Sequence, residues 1–179
     1  MNNATTAPQG KMVTGLFNDR ASAEQAYASL HARGYSRDDV NLVMSDDTRK
    51  AHFTDAQGVK TELGTKAAEG AGVGGAIGGT VGAILAAIAA VGTTIAIPGL
   101  GLVIAGPLAA AIAGAGAGGA AGGLVGALVG WGIPEERIQR YEDGIKKGGI
   151  LMGVRSRSDD DATFFTQDWK KHRAADVYA

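Results

Sequence analysis

Few residues in this chain combine the type and the spacing that chemistry requires. Its three histidines, His31, His52 and His172, are far apart, and there is no cysteine to join them. A zinc-type site needs three or four nitrogen, sulfur or carboxylate ligands converging at short range, so no metal ligand is assigned. Asp159, Asp160 and Asp161 form a carboxylate run, but a calcium loop needs alternating oxygen ligands and a distal bidentate glutamate; the run is read as helix-capping groups. Matches to GxGxxG occur around Gly72 and Gly116, without the preceding strand and following acidic residue of a dinucleotide site, and GxxxxGK[ST] is absent from the sequence. No nucleophile elbow or triad-like layout is visible. No catalytic or cofactor-binding residue is therefore assigned, and the chain is expected to be non-enzymatic and to need no cofactor.

Two other groups of side chains invite a binding reading. Arg155 and Arg157 alternate along one expected strand and, with Lys146 and Lys147, make the nearest approach to a basic patch. Such charges meet anionic lipid headgroups at about 1 kcal/mol each; the competing reading, a solvated edge balanced by Asp159 to Asp161 and Glu142, is preferred. Phe164, Phe165 and Trp169 recur at helical spacing and are read as core.

The remaining signal is physical rather than chemical. No charged residue falls between Glu69 and Glu135, and within that span Gly70, Gly74, Gly78 and Gly82 recur every fourth residue, as do Gly114, Gly118, Gly122, Gly126 and Gly130. Four-residue spacing puts these glycines on one helical face, where missing Cβ atoms let two backbones approach closely. They are assigned as helix-packing and oligomerisation residues. Each interior glycine costs about 1 kcal/mol against alanine, so neither arm is expected to be helical alone in water. The first arm, Gly70 to Val91, would be about 33 Å long, enough to cross a hydrocarbon core of about 30 Å. The stretch Gly92 to Gly106 between the arms, with only two threonines in TTIAIPGLGLVIAG, predicts a turn shielded from water, so residues 70–132 are read as one apolar helical hairpin whose tip stays in lipid or inside an assembly. A buried core of a soluble homo-oligomer and a low-complexity segment without fixed structure are the alternatives. Trp131 sits where the apolar span becomes polar, a position favoured by interfacial tryptophans; Trp131, Lys146 and Lys147 are the expected membrane-interface residues.

The flanks must supply the folded domain. Lys11 to Asn18 reads as a strand, Asp19 caps a helix over Arg20 to Arg33 with Ala23, Ala26, Tyr27 and Leu30 on one face, Gly34 ends it, and Val40 to Met44 is a second strand. The C-terminal end repeats the layout: a strand over Gly149 to Arg157, a helix over Ala162 to Arg173, and a short strand over Ala175 to Tyr178. Two such halves predict an α+β fold, a ferredoxin-like βαββαβ sandwich with the hairpin inserted between its second and third strands. The expected boundaries are a flexible tail at 1–10, a first half at 11–45, a polar linker at 46–69, the hairpin at 70–132, an amphipathic helix at 133–147 and a second half at 148–179. In that helix Ile138, Tyr141 and Ile145 form one stripe, expected on the open face of the sheet or on a membrane surface.

Over 179 residues the formal net charge is −1, which leaves no electrostatic footprint for nucleic acid. The absence of cysteine fits a reducing compartment, and MNNATTAPQGK does not read as a secretory signal.

The runs KMVTGLFNDRASAEQAYASLHARGYSRDDVNLVMS and GIPEERIQRYEDGIKKGGILMGVRSR, with the terminal HRAADVYA, resemble the bacterial heat-induced or general stress protein family, whose ferredoxin-like domain carries a glycine-zipper insertion. That resemblance implies stress association and membrane attachment, and it supplies no catalytic residues. The expected function is thus a non-enzymatic stress-response protein that self-associates through its glycine zippers and associates with or inserts into membrane. It would sit on the cytoplasmic side of the inner membrane, or in the cytoplasm as a large assembly. The expected partners are further copies of itself and membrane lipid, with no nucleic acid and no small-molecule substrate. Alternatives are a soluble homo-oligomeric particle or filament, and a small-molecule-sensing ferredoxin-like domain.

Overall fold

The computed structural model describes residues 10–53, 93–97, 100–107, 109, 125, 128–129 and 132–179. Their elements are β1 (Met12–Phe17), α1 (Arg20–Ala32), β2 (Val40–Ser45), α2 (Asp46–Phe53), β3 (Thr93–Ile97), β4 (Leu100–Ala105), α3 (Glu135–Lys146), β5 (Ile150–Arg155), α4 (Asp159–Lys171) and β6 (Ala175–Tyr178). The fold is α+β. One six-stranded sheet runs β3-β4-β2-β5-β1-β6, and every neighbouring pair is antiparallel.

The strands are apolar on both sides because both faces of the sheet are covered. Val13 and Phe17 of β1, Val40, Leu42 and Met44 of β2, and Ile150, Met152 and Val154 of β5 meet Ala23, Tyr27 and Leu30 of α1 and Phe165 and Trp169 of α4. The residues between them, Leu16, Val43 and Leu151, turn to the opposite face and meet Ile138, Tyr141 and Ile145 of α3. This alternation is the period of two expected of a strand. The sheet-packing reading of the amphipathic helix holds, and its close fit has a cause in sequence: a Cβ on Gly144 would come within 2.1 Å of Leu16 Cδ2, so a larger residue there would force the Leu16 side chain to move.

Helix boundaries follow local chemistry. Asp19 accepts the Ser22 backbone N–H at 2.7 Å, and Ser158 accepts that of Asp161 at 3.0 Å. The aspartates of SDDD therefore lie in the first turn of α4, three residues earlier than the sequence reading started that helix, where their charge suits the positive end of the helix dipole. The linker expected over 46–69 begins with α2, and its remainder from residue 54 lies outside the described residues.

The main correction concerns Gly92 to Gly106. This stretch is not the apolar tip of a helical hairpin: Thr93–Ile97 and Leu100–Ala105 are strands that extend the domain's own sheet. β4 pairs with β2 from Leu42 opposite Ala105 to Ser45 opposite Leu102, and Leu102, Val103, Ile104 and Ala105 are each 0–1% exposed. The physical reason is that runs of five and six residues containing threonine, isoleucine and valine, separated by two residues, suit a hairpin added to a sheet. Such short apolar runs carry no periodicity that separates a buried strand from a lipid-facing turn.

Candidate self-association surface

Residues of the apolar span meet the domain on the α3 face of the sheet. Ala109, Leu128 and Ile133 are buried there with Leu102, Ile104, Ile138 and Tyr141. Residues Leu128 and Val129 belong to a helix whose end is defined by backbone chemistry. The Ile133 N–H donates to the Leu128 carbonyl at 3.1 Å, the Gly132 N–H donates to that of Val129 at 2.8 Å, and Gly132 has φ +78°. This is a Schellman ending, with the usual apolar contact between the residue after the turn and the one five positions earlier. The helix therefore ends just before Gly132. While Leu128 is fully buried, Val125 and Val129, one turn apart, are 44% and 47% exposed. Those two valines are the large apolar side chains that the described surface leaves to solvent.

The zipper residues Gly70, Gly74, Gly78, Gly82, Gly114, Gly118, Gly122, Gly126 and Gly130, and the interface residue Trp131, lie outside the described residues. Among the described residues no helix is long and apolar enough to cross a membrane. Lys146 is exposed and its Nζ lies 2.7 Å from Glu142 Oε1, a hydrogen bond that raises its pKa. Lys147 is also exposed and forms the C-cap of α3, its backbone N–H turned back on the carbonyls of the last turn. The basic patch with Arg155 and Arg157 does not form. The two lysines precede β5 and the two arginines end or follow it, about 20 Å away at strand rise. Arg157 instead pairs with Asp39 at 3.1 Å and lies over the Tyr35 ring, 4.2 Å from its centroid.

Tyr35 and Asp161 form a linkage that sequence reasoning missed, because its members are more than a hundred residues apart. The Tyr35 hydroxyl donates to Asp161 Oδ2 at 2.7 Å and accepts the Arg157 backbone N–H at 2.7 Å, while Arg33 pairs with Asp161 Oδ1 at 2.5 Å. Burial and the carboxylate acceptor push the Tyr35 phenol up to about 12. For Asp161 burial acts to raise the pKa, but the Tyr35 hydroxyl and the Arg33 guanidinium outweigh it and hold the carboxyl below its ordinary value. Every strong donor and acceptor here is matched within the protein, so the group ties the start of α4 to the loop after α1 and offers no reactive atom.

Phe165 and Trp169 are core as expected, whereas Phe164 is half-buried beneath the Arg33 guanidinium, 3.8 Å from its centroid. An open cavity of about 300 Å³ lies between Lys11 and the α4 residues Thr166 and Lys170. The Thr166 hydroxyl is spent on the Ala162 carbonyl and Lys11 faces Asp159, so the cavity presents little to orient a ligand. Among the described residues no group of three potential metal ligands converges. His172 contacts Gln25 and Asp168, and the other two histidines are exposed. No protein-family model, curated protein or solved structure matches the chain.

Proposed function

We propose that this protein is a non-enzymatic stress-response protein: a ferredoxin-like domain whose glycine-rich insertion packs against the insertions of further copies and attaches the assembly to a membrane. The ferredoxin-like reading is supported by the order β2-β5-β1-β6 within the sheet and by the connections β1-α1-β2 and β5-α4-β6, whose two helices pack on one face. One observation carries the self-association reading. The insertion is anchored by Ala109 and Leu128 in the domain core and leaves Val125 and Val129 uncovered. At 100° per residue, the helix that the glycine spacing predicts puts Gly118 and Gly122 within about 60° of Val125 and about 80–120° from Leu128. The smooth stripe would then adjoin the exposed valines, free to receive another helix.

A second reading, a soluble homo-oligomer, is favoured by the seating of β3 and β4 in the sheet. Burial of Leu102 to Ala105 in β4 covers that part of the apolar span without lipid. Fractionation of the native protein without detergent, followed by sizing and phospholipid analysis of the main peak, tests both. Recovery in membranes or in particles carrying phospholipid supports attachment. A large lipid-free particle supports the soluble assembly, and a lipid-free monomer overturns both. Replacing Gly118 and Gly122 by leucine should reduce particle mass in either case; unchanged mass would remove zipper packing from the mechanism.

A further inference from the structure

The two edges of the sheet are finished differently. The β6 edge is four residues long, shifts register against β1 between Thr14 and Leu16 and has a left-handed residue, Asp176, at φ +48°. It is also pinned by α3: the Tyr141 hydroxyl donates to the Asp176 carbonyl at 2.7 Å, Arg140 pairs with the Asp176 carboxylate at 3.3 Å and Arg137 lies over the Tyr178 ring. Shortness, irregularity, inward contacts and charge are the devices that stop an edge from pairing further. The β3 edge lacks the irregularity and the charge. Its five residues, TTIAI, include no charge, proline or glycine, its pairing with β4 is regular from Thr93 opposite Ile104 to Ile97 opposite Leu100, and among the described residues it pairs with β4 alone.

We propose that β3 pairs antiparallel with β3 of a second copy of this chain, joining two sheets across a twofold axis. An antiparallel edge is self-complementary, since the same alternation of N–H and C=O meets itself after a half-turn. The chain's own longer undescribed segments are poorer occupants: residues 1–9 and 54–69 are polar, and 70–92 and 110–124 are dominated by glycine and alanine, types depleted in strands, whereas β3 is rich in β-branched residues. A twofold centred on Ile95 pairs all five residues. Because that axis is perpendicular to the sheet, it carries each face onto the same side. Both copies would then present α3, and the buried Ala109 and Leu128 that anchor the insertion, toward one common surface. The pairing therefore deepens the self-association reading above while using a different interface.

The cysteine-free sequence permits a direct test. On the axis, an Ile95→Cys pair would have Cα atoms about 4.5–5.5 Å apart, within disulfide range. Mild oxidation of the full-length variant should convert most of the protein to a covalent dimer, with at least tenfold less from Val177→Cys on the other edge. The same dimer should form when Ile95→Cys is combined with Gly118→Leu and Gly122→Leu, which separates edge pairing from zipper packing. A dimer that disappears in that background would make the proximity a by-product of the zippers and overturn the proposal. So would the absence of an Ile95→Cys dimer in a variant whose circular dichroism shows the native fold. A charge at the edge, Thr94→Lys, should lower dimer affinity at least tenfold by sedimentation; unchanged affinity would count against the pairing.

Discussion

Beneath α1 and α4 the sheet is sealed by aromatic rings, Phe17 edge-on to Trp169 at 5.7 Å and Tyr35 edge-on to Phe165 at 5.1 Å. The opposite face is closed by a single helix and by aliphatic side chains that arrive from the insertion, Ala109 and Leu128. The aromatic face also takes Phe53 of α2 and Val103 and Ala105 of β4. The α3 face takes Leu102 and Ile104 of β4 together with Ala109, Leu128 and Ile133. Stability of the first thus rests on two helices and their interlocked rings, that of the second on one helix and aliphatic packing.

Substitutions that act on one face can break this distinction. Trp169→Ala removes the largest fully buried side chain among the described residues and should cost about 3–5 kcal/mol, read as loss of cooperative unfolding or a large fall in Tm. Gly144→Val forces a branched side chain against Leu16 and should cost about 1–3 kcal/mol, while the near-ultraviolet signal of the aromatic face persists. If both variants lost that signal together, the faces would not be separable.

The Tyr35–Asp161 linkage sharpens the comparison through pH. Because the folded Asp161 pKa is lowered, its contribution is present above the ordinary carboxylate range, near pH 4, and is lost as pH falls through the folded value. Tyr35 is raised to about 12, so its contribution is complete below about pH 10 and is lost as pH rises toward 12. Denaturant titrations should show Asp161→Asn flattening the acid limb and Tyr35→Phe the alkaline limb, with little change in the packing of α3. The smallest effect is expected at Arg173, which ends α4 at φ +61° with the same backbone pattern that glycines supply after α1 and α3. Arg173→Gly relieves a left-handed backbone and should raise stability by about 0.5–1 kcal/mol, seen as a small rise in Tm.

Local signals made the terminal halves legible. Asp19, Gly34 and Ser158 mark helix ends by side-chain or backbone geometry that acts within a few residues, and the alternation from Val13 to Phe17 requires two covered faces. β3 and β4 were misread because apolar strands seated in a sheet and an apolar turn shielded by lipid share one composition; the pairing of β4 with β2 decides between them. The Tyr35–Asp161 bond left no sequence signal at all, since a tyrosine after a helix-ending glycine and an aspartate in an acidic run each have sufficient local explanations.

The register of β3 on β4 has a mechanical consequence. Thr93 opposite Ile104 means that the chain enters and leaves this hairpin at the same end. Traction on the segment preceding Thr93 would therefore load the β3–β4 ladder rung by rung, as in unzipping, rather than along its whole length at once. β4 is held on its other side by β2, so β3 is the strand that would yield first, and the remaining five strands would keep their order under a pull that removed it.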